Sequence, residues 1–333
     1  MPRRSLLTVL AAAAALAAPL LAVTAPPAHA AAPPYVALGD SYSSGTGTRS
    51  YLSDGTSCQR STYAYPSLVA AARGYALNFR ACSGATIPTV TSTQLSALST
   101  STRYVTISVG GNDAGFADVL TECAQPWWAS NCNGAIDKAQ SYITTTLPGA
   151  LSTLYASIRT RAPYAKVVVV GYPRIFNGED CNAGTWFSPA EESRLNATAD
   201  LLNSTTSGQA AARGFSFANP TGRFVGHAVC NDVEWLNGLS YPISESYHPN
   251  RSGHASGYAP TVSPLLTGAT LTVTRAVVRA AAAAGDEQAA WQRTYADADA
   301  AITPETFRAP TPAVLRERAR ATGFDLDRWL ARQ

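Results

Sequence analysis

Five short runs with β-strand character alternate along the chain with segments of helical periodicity, and this alternation constrains the fold more than any other feature. The clearest run, residues 166–170, reads Lys-Val-Val-Val-Val, as expected of a parallel strand that is buried on both faces. Strands that alternate with helices form a parallel, doubly wound α/β sheet. The sequence therefore predicts about five strands in a three-layer α/β/α sandwich, starting near residues 35, 77, 104, 166 and 215.

The first 30 residues are interpreted as a secretory signal peptide that is removed, not as part of the fold. Arg3 and Arg4 precede an Ala- and Leu-rich run over residues 6–23, and Ala28-His29-Ala30 has the small-x-small pattern of a signal-peptidase site. An uncleaved anchor is the alternative, because the apolar run approaches membrane-spanning length. We expect export by the Sec or the twin-arginine route, an extracellular protein, and no transmembrane segment after cleavage.

Charge and cysteine content limit the kinds of partner and of cysteine site that the chain can have. Without Arg3 and Arg4 the formal net charge falls from +3 to about +1, which indicates no nucleic acid or other polyanion as partner. The chain has six cysteines, and an even number behind a secretory signal predicts disulfides. It has no C-x-x-C spacing of the kind that would indicate a metal site. Six cysteines allow 15 connectivities. Pairing neighbours in order gives Cys58–Cys82, Cys123–Cys132 and Cys181–Cys230.

A candidate nucleophile lies where the first predicted strand ends. The apolar run from Tyr35 stops at Gly39, and Asp40-Ser41 follow before a polar segment of the kind that opens a helix. Ligands bind at the carboxyl ends of strands in open α/β sheets. A serine is a weak nucleophile unless a base takes its proton, so this interpretation requires a histidine elsewhere. The alternative is that Asp40-Ser41 only caps a helix.

Two further polar loops follow predicted strands, Ser83-Gly84 and Gly110-Gly111-Asn112. The carboxyl ends of parallel strands lie along one edge of a sheet, so these loops are expected beside Ser41. Loops after strands are generally rich in Gly, Ser and Asn, and coincidence is the alternative.

The required base is sought among the three histidines outside the signal, His227, His248 and His254. Pro249 keeps His248 out of a helix interior, and Glu245 precedes it by three residues, from where a carboxylate can hold the imidazole. His254 is expected to pack or cap the following helix, and His227 to be a surface or core residue. A metal site is not favoured, because the two later histidines lack the spacing of a helical ligand pair.

With these residues in this order, the chain resembles the SGNH (GDSL-type) hydrolases, and among them the secreted bacterial lipases and phospholipases A with three disulfides. The resemblance covers about residues 34–262 and includes the cysteine spacing. Four separated blocks carry it, in order: Gly39-Asp40-Ser41, Gly84, Gly111-Asn112-Asp113 and His248-Pro249. It implies a flavodoxin-like sheet and serine-dependent ester hydrolysis without a cofactor.

The resemblance also implies roles for individual residues. Ser41 is the expected nucleophile and His248 the general base, so activity should fall on the acid side of a pKa near about 6.5. The Ser41 and Gly84 N–H groups and the Asn112 amide are the expected oxyanion hole, where glycine lets the backbone approach the oxygen.

The group that orients the histidine stays open. Many members of the family have Asp three residues before the histidine, where this chain has Glu245. Either Glu245 or a backbone carbonyl, that of Ser246, is therefore expected to hold the ring. Asp40 is expected to be structural.

The substrate is expected to be a lipid or fatty-acyl ester, taken by a monomer at a lipid–water interface. Aromatic residues at Phe116, Trp127-Trp128 and Trp186-Phe187 suit acyl chains, with core packing as the alternative. A phospholipase A1 and a carbohydrate acetyl esterase are the other enzymatic hypotheses. A non-catalytic binding module would lack at least one catalytic residue, and none is missing.

The texture of the sequence changes at about residue 267. Residues 281–284 are four alanines, and charge density rises from Arg316-Glu317-Arg318 to Arg332. We expect a hydrolase domain over residues 31–266 and a helical extension of unknown role over residues 267–333. A chain that ends near Thr267 is expected to keep esterase activity.

Overall fold

Five parallel strands form the central sheet, in the order β2-β1-β3-β4-β5. The structure is a computed structural model that describes residues 31–304 and 306–332, so the predicted signal peptide lies outside the described residues. The strands are β1 Pro34–Gly39, β2 Ala76–Phe79, β3 Tyr104–Ser108, β4 Lys166–Val170 and β5 Ser216–Ala218. This is the flavodoxin-like order, and it confirms the predicted doubly wound fold.

Helices cover both faces of the sheet. Two of them, α2 and α9, pack on one face, and α5, α6 and α7 form the layer on the other. The helices are α1 Ser41–Ser44, α2 Tyr65–Arg73, α3 Ile87–Thr89, α4 Phe116–Cys123, α5 Cys132–Thr145, α6 Leu147–Arg161, α7 Pro189–Ala212, α8 Thr221–Phe224, α9 Ala259–Thr267, α10 Arg275–Ala283, α11 Gly285–Arg293, α12 Ala296–Asp299, α13 Pro312–Thr322 and α14 Leu326–Leu330. In the described part of the chain, no helix has the length and hydropathy needed to cross a bilayer.

Local sequence signals set the start of the longest helix, α7. The Ser188 side chain accepts from the Glu191 N–H, the Glu191 carboxylate accepts from the Ser188 N–H, and Pro189 occupies the first helical position. This capping box satisfies N–H groups that would otherwise lack a partner at the helix start.

Strand register places the loops that carry the predicted site residues at one level. Gly39 of β1 lies opposite Ser108 of β3, so the chain leaves both strands together. On the other side, Ala37 pairs with Phe79, the last residue of β2. The order of the sheet reverses around β1, and ligands of this fold bind at such a switch point.

Three disulfides join segments around this edge of the sheet. The bonded pairs are Cys58–Cys82, Cys123–Cys132 and Cys181–Cys230. The first ties the segment before α2 to the loop after β2, and the second joins the end of α4 to the start of α5.

The segment predicted as an extension packs against the rest, because the described residues from Ala32 onward form one compact unit. Helix α10 lies against α2, and α11 lies against β2. Two arginines with fully buried side chains, Arg60 and Arg80, pair with Asp299 at the end of α12. The segment therefore contributes charge as well as apolar area to the interior.

Candidate active site

The Ser41 hydroxyl and the His248 imidazole meet although they lie 207 residues apart in sequence. His248 Nε2 is 2.8 Å from Ser41 Oγ, a hydrogen-bond distance. Ser41 is the first residue of α1, directly after the strand turn, and is 6% exposed. The two residues predicted as nucleophile and base are thus in contact.

The turn before Ser41 requires glycine for two reasons. Gly39 has φ +121°, and a Cβ at this position would lie 2.3 Å from the Ser108 carbonyl oxygen. The buried Gln94 side chain holds the same residue, accepting from the Gly39 N–H at 2.7 Å and donating to the Gly39 carbonyl at 2.9 Å. Sequence reasoning missed Gln94, because nothing nearby in the sequence marks its contact with β1.

Asp40 holds the turn and does not reach the histidine. Its carboxylate accepts from the Tyr42 N–H at 3.0 Å, from Ser108 Oγ at 2.6 Å and from the Tyr172 hydroxyl. Burial raises the pKa of Asp40 to about 6 despite these hydrogen bonds. The residue connects β1, β3 and the loop after β4 beneath Ser41.

His248 is oriented by a main-chain carbonyl. Its Nδ1 lies 2.8 Å from the Ser246 carbonyl oxygen, which can only accept, so Nδ1 carries the proton and Nε2 is left to accept from Ser41. The Tyr42 hydroxyl donates to the neighbouring Tyr247 carbonyl at 2.7 Å. Helix α1 thus carries the predicted nucleophile and also contacts the loop that carries the predicted base.

Glu245, the other predicted orienter, points to a different partner. Its buried carboxylate accepts from the Tyr51 hydroxyl at 2.6 Å and lies 3.4 Å from Arg49 Nε. Within the described residues, the carbonyl of Ser246 and not Glu245 contacts the His248 ring.

The residues predicted to form an oxyanion hole are Ser41, Gly84 and Asn112, and two of them, Ser41 and Asn112, line one cavity. Within the described chain, neither the Ser41 N–H nor the Gly84 N–H donates to a protein acceptor. Asn112 Nδ2 donates to the Ala85 carbonyl at 3.0 Å, which orients the amide and leaves its second N–H available. Gly84 has φ +82°, a region that glycine enters without strain.

The other two histidines take structural positions. His254 is fully buried, and its Nδ1 accepts from the Tyr65 N–H at 3.3 Å. The His227 ring stacks on Trp235 with centroids 3.8 Å apart.

An apolar cavity opens beside Ser41 and His248. Helices α4, α5 and α7 and the loop after β4 line it, with side chains that include Phe116, Leu120, Ile143, Phe176, Leu195 and Leu202.

The tryptophans expected near this cleft lie elsewhere. Trp128 stacks on Phe324, and Trp186 packs on Trp329. Phe324 and Trp329 belong to the C-terminal segment. Trp127 is 77% exposed. Of the aromatic residues singled out from the sequence, Phe116 lines the cavity.

The pH profile is expected to differ from that of a solvated histidine. Burial lowers the pKa of His248 to about 4, against a smaller opposite effect of the Ser246 hydrogen bond. The base must be neutral, so kcat/KM should stay level through pH 6.5 and fall about tenfold per pH unit only below that lowered pKa. The measurement is kcat/KM for a neutral short-chain ester at each pH, with circular dichroism to verify folding.

Asp40 is the second group that titrates in this range, and an Asp40→Asn variant assigns any inflection near pH 6 to it. An acid limb centred at or above about pH 6.5 in folded Asp40→Asn protein would contradict the lowered pKa of His248.

Comparison with known proteins gives the family. The sequence model of the GDSL-like lipase/acylhydrolase family matches residues 37–256. A lipase from Streptomyces rimosus is 44% identical over 259 residues, which are 76% of this chain and 96% of that protein. Lipase 1 from Streptomyces coelicolor is 45% identical over 258 residues, 77% of this chain and 94% of that protein.

Solved structures of lipolytic enzymes from Streptomyces are similar to this chain in fold and in sequence. The extracellular lipase from Streptomyces rimosus has a TM-score of 0.66 at 44% identity, and the match covers 70% of this chain and all of that one. Phospholipase A1 from Streptomyces albidoflavus NA297 has a TM-score of 0.66 at 43% identity, covering 70% of this chain and 98% of that one.

The fold and these matches define a carboxylic ester hydrolase. The chain belongs to the GDSL-like lipase/acylhydrolase family, as the four sequence blocks predicted.

Proposed function

We propose that this protein is a secreted lipase that cleaves fatty-acyl esters through an acyl-enzyme on Ser41, with His248 as general base. The observation that carries the proposal is the 2.8 Å contact between His248 Nε2 and Ser41 Oγ beside an apolar cavity. A hydroxyl in contact with a neutral imidazole is an activated nucleophile. The apolar lining favours acyl chains over sugars.

In the proposed reaction, His248 Nε2 takes the proton as Ser41 Oγ attacks the ester carbonyl. The imidazolium that forms is stabilised by the Ser246 carbonyl at Nδ1. Negative charge develops on the carbonyl oxygen, and the Ser41 and Gly84 N–H groups with the Asn112 amide stabilise it. The imidazolium then protonates the leaving alcohol, and the same base activates the water that releases the fatty acid.

Phospholipase A1 activity is the second candidate. It is favoured by the likeness to the phospholipase A1 of Streptomyces albidoflavus NA297, at 43% identity over 98% of that chain. The same Ser41 and His248 serve either reaction, because both substrates present an acyl ester to the nucleophile.

Export and monomeric action complete the proposal. The signal pattern over residues 1–30 and the likeness to an extracellular lipase support secretion. Every group in the proposed mechanism comes from one chain, so the reaction needs no second copy.

The test is hydrolysis by the mature chain of a nitrophenyl ester series from acetyl to palmitoyl, a triacylglycerol, a phosphatidylcholine and an acetylated xylan. Activity on medium or long acyl chains is expected, and Ser41→Ala should abolish it. Release of the sn-1 fatty acid from the phospholipid would identify phospholipase A1 activity.

Hydrolysis of acetylated sugar alone would instead identify a carbohydrate acetyl esterase. Activity that persists in Ser41→Ala protein would refute the proposed mechanism.

A further inference from the structure

The chain beyond α12 crosses the site at the carboxyl edge of the sheet. We call residues 302–304 and 306–308 the strap. Its backbone lies directly on Gly84: a methyl group there would sit 2.4 Å from Pro304 Cα and 2.7 Å from the Thr303 carbonyl oxygen. The sequence analysis explained glycine at position 84 by close approach of the backbone to the substrate oxygen; in the structure, the position that a Cβ would take here is occupied by the strap.

Phe307 of the strap faces the same cavity as Ser41 and His248. It is 4% exposed, and its ring packs edge-to-face on Tyr247, with centroids 5.0 Å apart. Tyr247 directly precedes the proposed base. Phe307 therefore adds an aromatic wall to the cavity that Ser41 and His248 also line.

The strap is fixed at both ends. On one side, Asp299 pairs with buried Arg80 at 2.7 Å, and Ile302 is buried in the core. On the other side, the Arg308 N–H donates to Thr121 Oγ1 at 3.0 Å, and the Arg308 guanidinium lies 2.9 Å from Asp118. Contacts on both sides thus hold the strap against the cavity.

We propose that the strap completes the acyl-binding cavity and that Phe307 is a specificity-determining residue for the length of the acyl chain. The inference rests on the proposed esterase function and deepens it. Phe307 lies beyond residue 256, where the match to the family model ends.

Changing the size of residue 307 should change which esters fit. One methylene in an apolar pocket changes discrimination by about tenfold or more. We expect Phe307→Leu to raise the ratio of kcat/KM for dodecanoyl over butanoyl nitrophenyl ester about tenfold, and Phe307→Trp to lower it by a similar factor.

The matched control is Phe324→Leu, which removes an aromatic ring from the same C-terminal segment but outside the cavity, where Phe324 stacks on Trp128. Its ratio should equal that of the wild type. The thermal midpoint of each variant is measured alongside, and Phe307→Leu keeps the test available if the larger tryptophan prevents folding.

Ratios that move in opposite directions in the two Phe307 variants support the inference. Unchanged ratios in folded Phe307 variants, or an equal shift in Phe324→Leu, overturn it. Failure of the proposed function is recognised separately with Ser41→Ala. That variant tests whether hydrolysis of any ester depends on Ser41, whereas the Phe307 variants test the ratio of kcat/KM between two esters.

Discussion

Alanine in place of His248 is expected to lower kcat/KM for a short-chain ester by about 10⁴- to 10⁶-fold. The hydroxyl of Ser41 then has no base at 2.8 Å and stays protonated at neutral pH. Replacing Ser41 as well should cost almost nothing more, because residues that act as one unit are not additive. The measurement is steady-state hydrolysis of a nitrophenyl ester by the two single variants and the double variant.

Glu245→Ala provides the comparison within the same loop. The Glu245 carboxylate contacts Tyr51 and Arg49, while the carbonyl of Ser246 contacts the imidazole. The loss of activity should therefore be far smaller than in His248→Ala. Glu245→Gln, which keeps an acceptor for the Tyr51 hydroxyl, should be closer still to wild type. Losses in Glu245→Ala comparable to those in His248→Ala would restore the triad interpretation and contradict the contact seen here.

The strands of the sheet could be predicted from the sequence because the patterns that indicate them depend on neighbouring residues. The valine run of β4 and the capping residues of α7 act within a few positions, and they predict an element wherever the chain places it. Proline acts in the same local way at position 148. It lies in the first turn of α6, directly after the end of α5 at Thr145 and the start of α6 at Leu147.

The contacts that hold the site together were beyond sequence reasoning because they join distant positions. Gln94 clamps Gly39 from 55 residues away, and the Tyr42 hydroxyl reaches the Tyr247 carbonyl across 205 residues. A hydrogen bond to a main-chain carbonyl leaves no signature in side-chain identity. The carbonyl of Ser246 and the carboxylate of Glu245 were therefore equally good candidates until the structure showed their partners.

The sequence did not show how the C-terminal segment packs. Its composition suggested a helical extension of unknown role, and the activity of a chain that ends near Thr267 stays a prediction. The structure places Asp299 of this segment between Arg60 and Arg80, with all three side chains fully or almost fully buried. Truncation removes this carboxylate together with the helices that pack on α2 and β2, so we expect the shortened chain to lose stability.

Asp299→Ala is accordingly expected to lower the free energy of unfolding by about 3–5 kcal/mol, the usual cost of removing one partner from a buried ion pair. Arg80 depends on this carboxylate most. Burial lowers the pKa of the Arg80 guanidinium and Asp299 opposes that shift, whereas Arg60 retains Asp54 at 2.7 Å. Denaturant unfolding of the oxidised protein, followed by circular dichroism, measures the change.

The matched control is Asp118→Ala, which breaks the pair with Arg308 that also joins the C-terminal segment to the rest. Both of its side chains are 71% exposed, and an exposed pair contributes about 1 kcal/mol or less. Equal losses in the two variants would mean that Asp299 is no more than another surface contact. A large loss in Asp299→Ala alone would show that the buried ion pairs of Asp299 hold the C-terminal segment that carries Phe307. The strap can form a wall of the cavity only if this segment is held in place.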